Sequence, residues 1–114
     1  MKVSTILVVK GEKIELDKEG YLEHLDQWSP EIAHILACNE GLELTESHWE
    51  VIDVIREFHS CRGLSPVMRI MVKLMENEFG PEKGNSLYLL SLFPGSPAKL
   101  AAKIAGLPRP TNCL

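Results

Sequence analysis

Apolar positions along this chain change period once, near residue 29. Before that point they fall into two short runs, Thr5 to Val9 and Lys13 to Leu16, on either side of Lys10-Gly11-Glu12. Runs of that length around a glycine-containing turn predict a β-hairpin. Asp17 to Gly20 reads as a polar turn, and Tyr21 to Trp28 as irregular or briefly helical.

From Ser29 onward the spacing is helical and the boundaries are marked. Ser29-Pro30, Ser65-Pro66 and Ser96-Pro97 each place a capping serine before a proline suited to the first helical position. Thr45-Glu46 is a fourth start, with an acid at the positive helix end. Five helices are predicted: Pro30 to Asn39 closed by Gly41, Glu46 to Cys61 closed by Gly63, Pro66 to Phe79 closed by Gly80, Asn85 to Phe93, and Pro97 to Ala105 closed by Gly106. The second buries Trp49, Val51, Ile52, Ile55 and Phe58. The third buries Val67, Ile70, Met71, Leu74 and Met75, and the fourth Tyr88, Leu89 and Leu92. The fold class is therefore mainly α: a small orthogonal helical bundle with an N-terminal β-hairpin, a helix-turn-helix-like corner at Cys61 to Ser65, and an extended C-terminal arm. The organisation is a helical domain over 1–105 followed by an arm over 106–114.

Composition narrows the function. At 114 residues, with 45% hydrophobic and 25% charged positions, the chain has the make-up of one ordinary soluble domain. It has no membrane-length apolar run and no export pattern, so the expected location is the cytoplasm and no membrane partner is expected. The net charge of −4 argues against direct DNA binding by the corner, since binders of nucleic acid carry a basic excess. Arg69 and Lys73 on the third helix are offset by Glu76 and Glu78.

Three cysteines in a chain without export signals argue against a disulfide scaffold and leave at least one free thiol. Cys38 and Cys61 read as small, inert, partly buried residues. His34 and Cys38 share an i, i+4 spacing, but neither a Cys-x-x-Cys nor a His-Glu-x-x-His pattern accompanies them, so no metal is expected. His24 and His48 read as solvated or capping residues. No phosphate loop, nucleophile elbow or paired-carboxylate motif is present, and no cofactor is expected.

Cys113 is different. It is the penultimate residue of an arm that carries Pro108 and Pro110. From Gly106 to Cys113, seven residues at ~3.3 Å each reach about 23 Å, and the prolines stiffen that reach. This suits a thiol that enters another protein's site, although an incidental tail cysteine has the same sequence. About 3% of an ordinary cysteine is thiolate at neutral pH, and the adjacent C-terminal carboxylate disfavours more. The thiol is expected to be modestly reactive alone and activated on docking.

Several segments together resemble the DsrC/TusE family: EGYL (19–22), LELTESHWEVIDVIREF (42–58), SPVMRIMVKLM (65–75), GPEKGNSLYLLSLFPGSPAK (80–99) and KIAGLPRPTNC (103–113). The resemblance implies a small helical sulfurtransferase, a carrier whose penultimate cysteine, here Cys113, holds sulfur as a persulfide. DsrC members serve dissimilatory sulfur metabolism with sulfite reductase and use a second arm cysteine eleven residues upstream. That position is Ala102 here, so the resemblance is to the one-thiol, TusE-type branch. It implies a TusBCD-type sulfur donor complex and an MnmA-type tRNA 2-thiouridylase as acceptor, with tRNA met only indirectly and a free carrier that is monomeric. The family's basic residues map onto Arg69, Lys73, Lys83, Lys99, Lys103 and Arg109, implied to stabilise the persulfide or to guide docking. Lys103 and Arg109 are the stronger candidates because they share the base of the arm with Cys113.

Overall fold

The computed structural model describes residues 5–111. Cys113, the centre of the chemistry expected from the sequence, lies outside the described residues. Strand β1 (Thr5–Val9) pairs antiparallel with β2 (Glu12–Leu16), Val9 opposite Glu12. The turn is therefore the two residues Lys10 and Gly11, both at positive φ (52° and 81°), as a tight hairpin turn demands. Ile14 and Leu16 face the core. A bridge from Leu16 to Leu22 turns the chain back, and the Asp17 side chain fixes that corner by accepting from the amides of Glu19 (2.8 Å) and Tyr21 (3.0 Å).

Helices α1 (Pro30–Asn39), α2 (Glu46–Arg62), α3 (Met68–Phe79), α4 (Ser86–Leu92) and α5 (Pro97–Ile104) follow, after a single 3-10 turn at Leu25–Gln27. Ser29 caps α1 by accepting from the Ile32 amide (3.3 Å), and Asn85 caps α4 by accepting from the Tyr88 amide (2.8 Å). At the start of α2, Nδ1 of His48 accepts from the Thr45 amide (3.1 Å) and Nε2 lies 2.8 Å from the Leu92 carbonyl. A carbonyl only accepts, so Nε2 carries the proton. His48 is thus a buried cap that also ties α2 to the end of α4.

Helix α5 is the centre of the bundle. It packs against α1, α2, α3 and α4, and Ala98, Ala101, Ala102, Ile104 and Ala105 are all buried. Short side chains let four helices approach one axis closely, which larger residues at those positions would prevent. Core residues from the other elements, Ile32, Leu36, Val51, Ile52, Ile55, Met71, Met75, Leu89 and Phe93, close around it.

The third helix departs from its sequence expectation. It begins at Met68, not Pro66, and Ser65 does not cap it. Ser65 and Pro66 are buried, and the Ser65 hydroxyl donates to the Pro108 carbonyl at 2.5 Å. A partner distant in the chain has claimed the hydroxyl that a cap would have used. Ile70, expected inward, is 39% exposed, while Met71 and Met75 carry the core face and Val72 packs beside it. The Glu-Lys-Gly-Asn-Ser stretch needs its glycine for space: a Cβ at Gly84 would sit 2.3 Å from the Cα of Glu76 on α3.

Candidate functional site at the root of the arm

Helix α5 ends in a glycine stop that launches the arm. The Gly106 amide donates to the Lys103 carbonyl (3.2 Å) and the Leu107 amide to the Ala102 carbonyl (2.9 Å), the paired bonds of a Schellman closure. Gly106 has φ 73°, and a Cβ there would lie 2.2 Å from the Trp28 ring. Both the backbone and the neighbour require glycine.

Two residues that sequence reasoning passed over clamp this junction. Trp28 Nε1 donates to the Ile104 carbonyl (2.9 Å). Arg56 donates from Nη1 to the Ala105 carbonyl (2.7 Å), and its guanidinium stacks 3.8 Å above the Trp28 ring. Burial pushes the Arg56 guanidinium below its ordinary range, opposed by nearby Asp53. These groups satisfy the last carbonyls of α5, which would otherwise end without partners. The available signal was Arg56 itself, four residues after core Ile52 on the inward side of α2.

The arm is fastened well past Gly106. Leu107 and Pro110 are buried, Pro108 accepts from Ser65, and Arg109 pairs with Glu19. The reach of about 23 Å expected from Gly106 is therefore shortened, because hydrophobic burial holds the first residues down. Beyond Pro110, three residues to Cys113 span at most about 10 Å.

Of the six basic candidates, the fold gathers three. Lys99, Lys103 and Arg109 line one cleft of about 330 Å³ with Glu19, Tyr21, Glu40, Pro94, Ser96 and Leu100. Lys103 pairs with Glu40 (3.1 Å) and stands 5.5 Å from the Tyr21 ring centroid. The Tyr21 hydroxyl donates to the Lys99 carbonyl (3.1 Å), tying the hairpin's exit to α5. On the other side of Arg109, a wider groove of about 690 Å³ is lined by Asp17, Leu22, Glu23, Leu25, Pro108, Pro110 and Thr111 along with Tyr21 and Arg109. Arg109 thus stands between the cleft and the groove, and the arm runs on from their shared wall.

The remaining three candidates are elsewhere. Lys83 pairs with Glu50 (2.7 Å) and lies 5.2 Å from the Phe79 centroid. The hydrogen bond to Glu50 is the main reason its ammonium is held above the ordinary lysine range. Arg69 and Lys73 are exposed on α3 and line neither hollow.

Cys38 and Cys61 are exposed rather than partly buried. Both sit at or near helix ends, where side chains clear the bundle. His34 packs edge-on to Trp49 at 5.5 Å, and His24 lies 3.1 Å from Glu15 at the surface. Among the described residues no group of three or more His, Cys, Asp or Glu side chains forms a metal-binding cluster, and no helix among them is long and apolar enough to cross a membrane.

Comparison with known proteins places the chain in a family and matches its fold. Residues 8–114 match the family model described as DsrC like protein, so the chain belongs to the DsrC-like family. Within it the chain stands with the sulfurtransferases: it is 51% identical over 109 residues to sulfurtransferase TusE of Salmonella paratyphi A, covering 96% of this chain and all of that one. Its fold is similar to the solution structure of DsrC from Allochromatium vinosum, with a TM-score of 0.86, 44% identity, and 96% and 97% of the two chains covered. The oxidized γ-subunit of the dissimilatory sulfite reductase (DsrC) from Archaeoglobus fulgidus is also similar, with a TM-score of 0.85, 40% identity, and 96% and 100% covered.

Proposed function

We propose that this sulfur-relay carrier works through Cys113, which accepts sulfane sulfur as a persulfide and passes it on for 2-thiolation of the tRNA wobble uridine. The balance needs no outside oxidant. The Cys113 thiolate attacks the terminal sulfur of a donor persulfide, a new sulfur–sulfur bond forms, and the donor cysteine leaves as thiolate with the electron pair of the broken bond. Delivery repeats the exchange: the acceptor's cysteine thiolate attacks the terminal sulfur, the new sulfur–sulfur bond forms on the acceptor, and Cys113 leaves as thiolate with the electron pair of the broken bond. The donor is a TusBCD-type complex, and the acceptor is an MnmA-type thiouridylase that itself holds the tRNA. A cytoplasmic setting belongs to the same reading.

One observation carries the choice of a one-thiol carrier. The position eleven residues before Cys113 is Ala102, which is buried in α5 with its carbonyl holding the Leu107 amide. No second arm thiol exists to close a disulfide with Cys113. The competing reading, a DsrC-like carrier working with sulfite reductase, draws on the fold similarity to DsrC chains, but it would have to dispense with that second thiol. Lys99, Lys103 and Arg109, gathered at the arm's root, supply positive charge on the approach to the persulfide. Lys83, engaged by Glu50, is set aside from that role.

The test is mass spectrometry after incubation with the donor complex, looking for one adduct of about +32 Da on the Cys113 peptide, the mass of one persulfide sulfur. Transfer of labelled sulfur that persists in Cys113→Ser would overturn the proposal. Sulfur that reaches purified sulfite reductase but not the thiouridylase would favour the competing reading.

A further inference from the structure

Another hollow adjoins the arm-root cleft and has a different character. Between α3, α4 and the start of α5 runs a groove of about 440 Å³ lined by Met68, Leu90, Pro97, Ala98 and Lys99, with Gly95 and Ser96 at its edge. Leu90 is 37% exposed, and Leu87, one turn earlier on α4, is 80% exposed. An i, i+3 pair lies on one helix face, so α4 presents a leucine stripe beside an apolar groove. Exposed leucines beside a groove offer a seat for a partner's apolar side chain.

Charge says what kind of partner fits. Lys99 and Ser96 line both this groove and the arm-root cleft, so the two form one continuous surface. In the cleft, Lys103 and Arg109 have carboxylate partners in Glu40 and Glu19. Lys99 has no ion pair among the described residues. Helix α5 also starts there, and the Ser96 side chain does not cap it, which leaves its positive end turned to the same region. A protein of net charge −4 thus shows, next to its arm, an apolar groove with an unneutralised positive end.

We propose that this groove is the docking site for the protein that delivers sulfur to Cys113. It would be entered by a segment that sets an apolar side chain against Met68 and Leu90 and a carboxylate on Lys99. The inference rests on the relay reading above. The short span from Pro110 to Cys113 supports it: with at most about 10 Å of chain, the thiol meets a donor cysteine only if the donor covers the arm's root and the surface beside it. Apolar anchoring in the groove would set affinity, and the Lys99 carboxylate pair would set orientation and salt dependence.

The experiment is isothermal titration of the purified donor complex with the carrier in its Cys113→Ser form, so that binding is read without transfer. Leu90→Glu and Lys99→Glu are each expected to weaken Kd about tenfold or more. Parent binding should weaken with added salt, and Lys99→Glu should lose most of that dependence. Leu90 is partly exposed, so Leu90→Glu should fold. With Cys113 intact, its sulfur uptake from inorganic polysulfide should match the parent's, and Leu87→Ser provides a milder second variant on the same stripe.

Affinities within about twofold of the parent in both Leu90→Glu and Lys99→Glu would sink the groove while leaving the relay standing. A concentration-dependent dimer in sedimentation, dissolved by Leu90→Glu, would assign the groove to a second copy of this chain and also overturn the proposal. If the parent neither binds the donor nor takes sulfur on Cys113, the relay reading and this inference fall together.

Discussion

Trp28 and Gly106 fit face to face at the root of the arm: the indole fills the space that any side chain at 106 would need, with a hypothetical Cβ only 2.2 Å from the ring. The tryptophan then uses its ring nitrogen to hold the Ile104 carbonyl. One aromatic residue near the N-terminal end thereby fixes where α5 stops and in which direction the arm leaves.

Gly106→Ala should be among the most damaging single-methyl additions. It combines a left-handed backbone at φ 73° with a clash against Trp28, together costing about 2–4 kcal/mol. Urea denaturation measures this, and a loss under about 1 kcal/mol would show that the tryptophan moves aside freely.

Removing the Ser65 hydroxyl should loosen the arm without unfolding the domain. Ser65→Ala deletes the bond to Pro108 and is expected to cost about 1 kcal/mol. The sharper readout is hydrogen exchange: the Leu107 amide, bonded to the Ala102 carbonyl, should exchange faster, while those of α2 and α3 keep their protection.

Arg56 should tolerate neither removal nor simple charge replacement. Arg56→Met keeps the stem but leaves the Ala105 carbonyl unpaired, for an expected loss of about 2 kcal/mol. Arg56→Lys keeps the charge without the planar stack on Trp28 and should recover only a fraction of that loss. Full recovery in thermal denaturation would mean that the charge alone matters there.

Putting a thiol back at position 102 should not recreate a ready redox pair. Ala102 is 1% exposed, beneath the Leu107 closure. In Ala102→Cys the new thiol should react with an aromatic disulfide reagent at least about tenfold more slowly than exposed Cys38 and Cys61. Equal rates would contradict the packing of α5. Adding Ser65→Ala should speed the reaction, because the same fastening covers the site.

The Lys83–Glu50 pair predicts an alkaline effect. Its folded-state pKa is raised, chiefly by the hydrogen bond to Glu50. The stabilisation is therefore fully present below the unfolded lysine value of about 10.4 and is lost as pH rises through the higher folded value. Glu50→Gln should remove that pH-dependent component, so stability curves of parent and variant should converge on the alkaline side. Curves that stay parallel through that range would show the pair to be irrelevant to stability.

Helix existence was legible because caps and stops are local chemistry. Ser29 and Gly106 act where they stand in the chain, and the hairpin turn at Lys10-Gly11 needs only its own backbone angles. The start of α3 was misjudged for the opposite reason. Ser65 has the local form of a cap, yet a carbonyl 43 residues away holds its hydroxyl. The inward turn of Ile70 was likewise overruled by where the bundle's axis runs.

The site divides the same way. The sequence singled out the penultimate thiol by its place on a proline-bearing arm, and the resemblance to the DsrC/TusE family marked the alanine where a second arm cysteine would stand and a set of basic residues. Only the tertiary structure decided which cations lie together. Folding brings Lys99, Lys103 and Arg109 into one cleft with Glu19 and Glu40 and sends Lys83 to Glu50 instead. It also turned a free-standing arm into a fastened one, because Leu107 and Pro110 gain more by burial than by reach, and because Trp28, Arg56 and Ser65 supply donors that no local pattern in the arm announces.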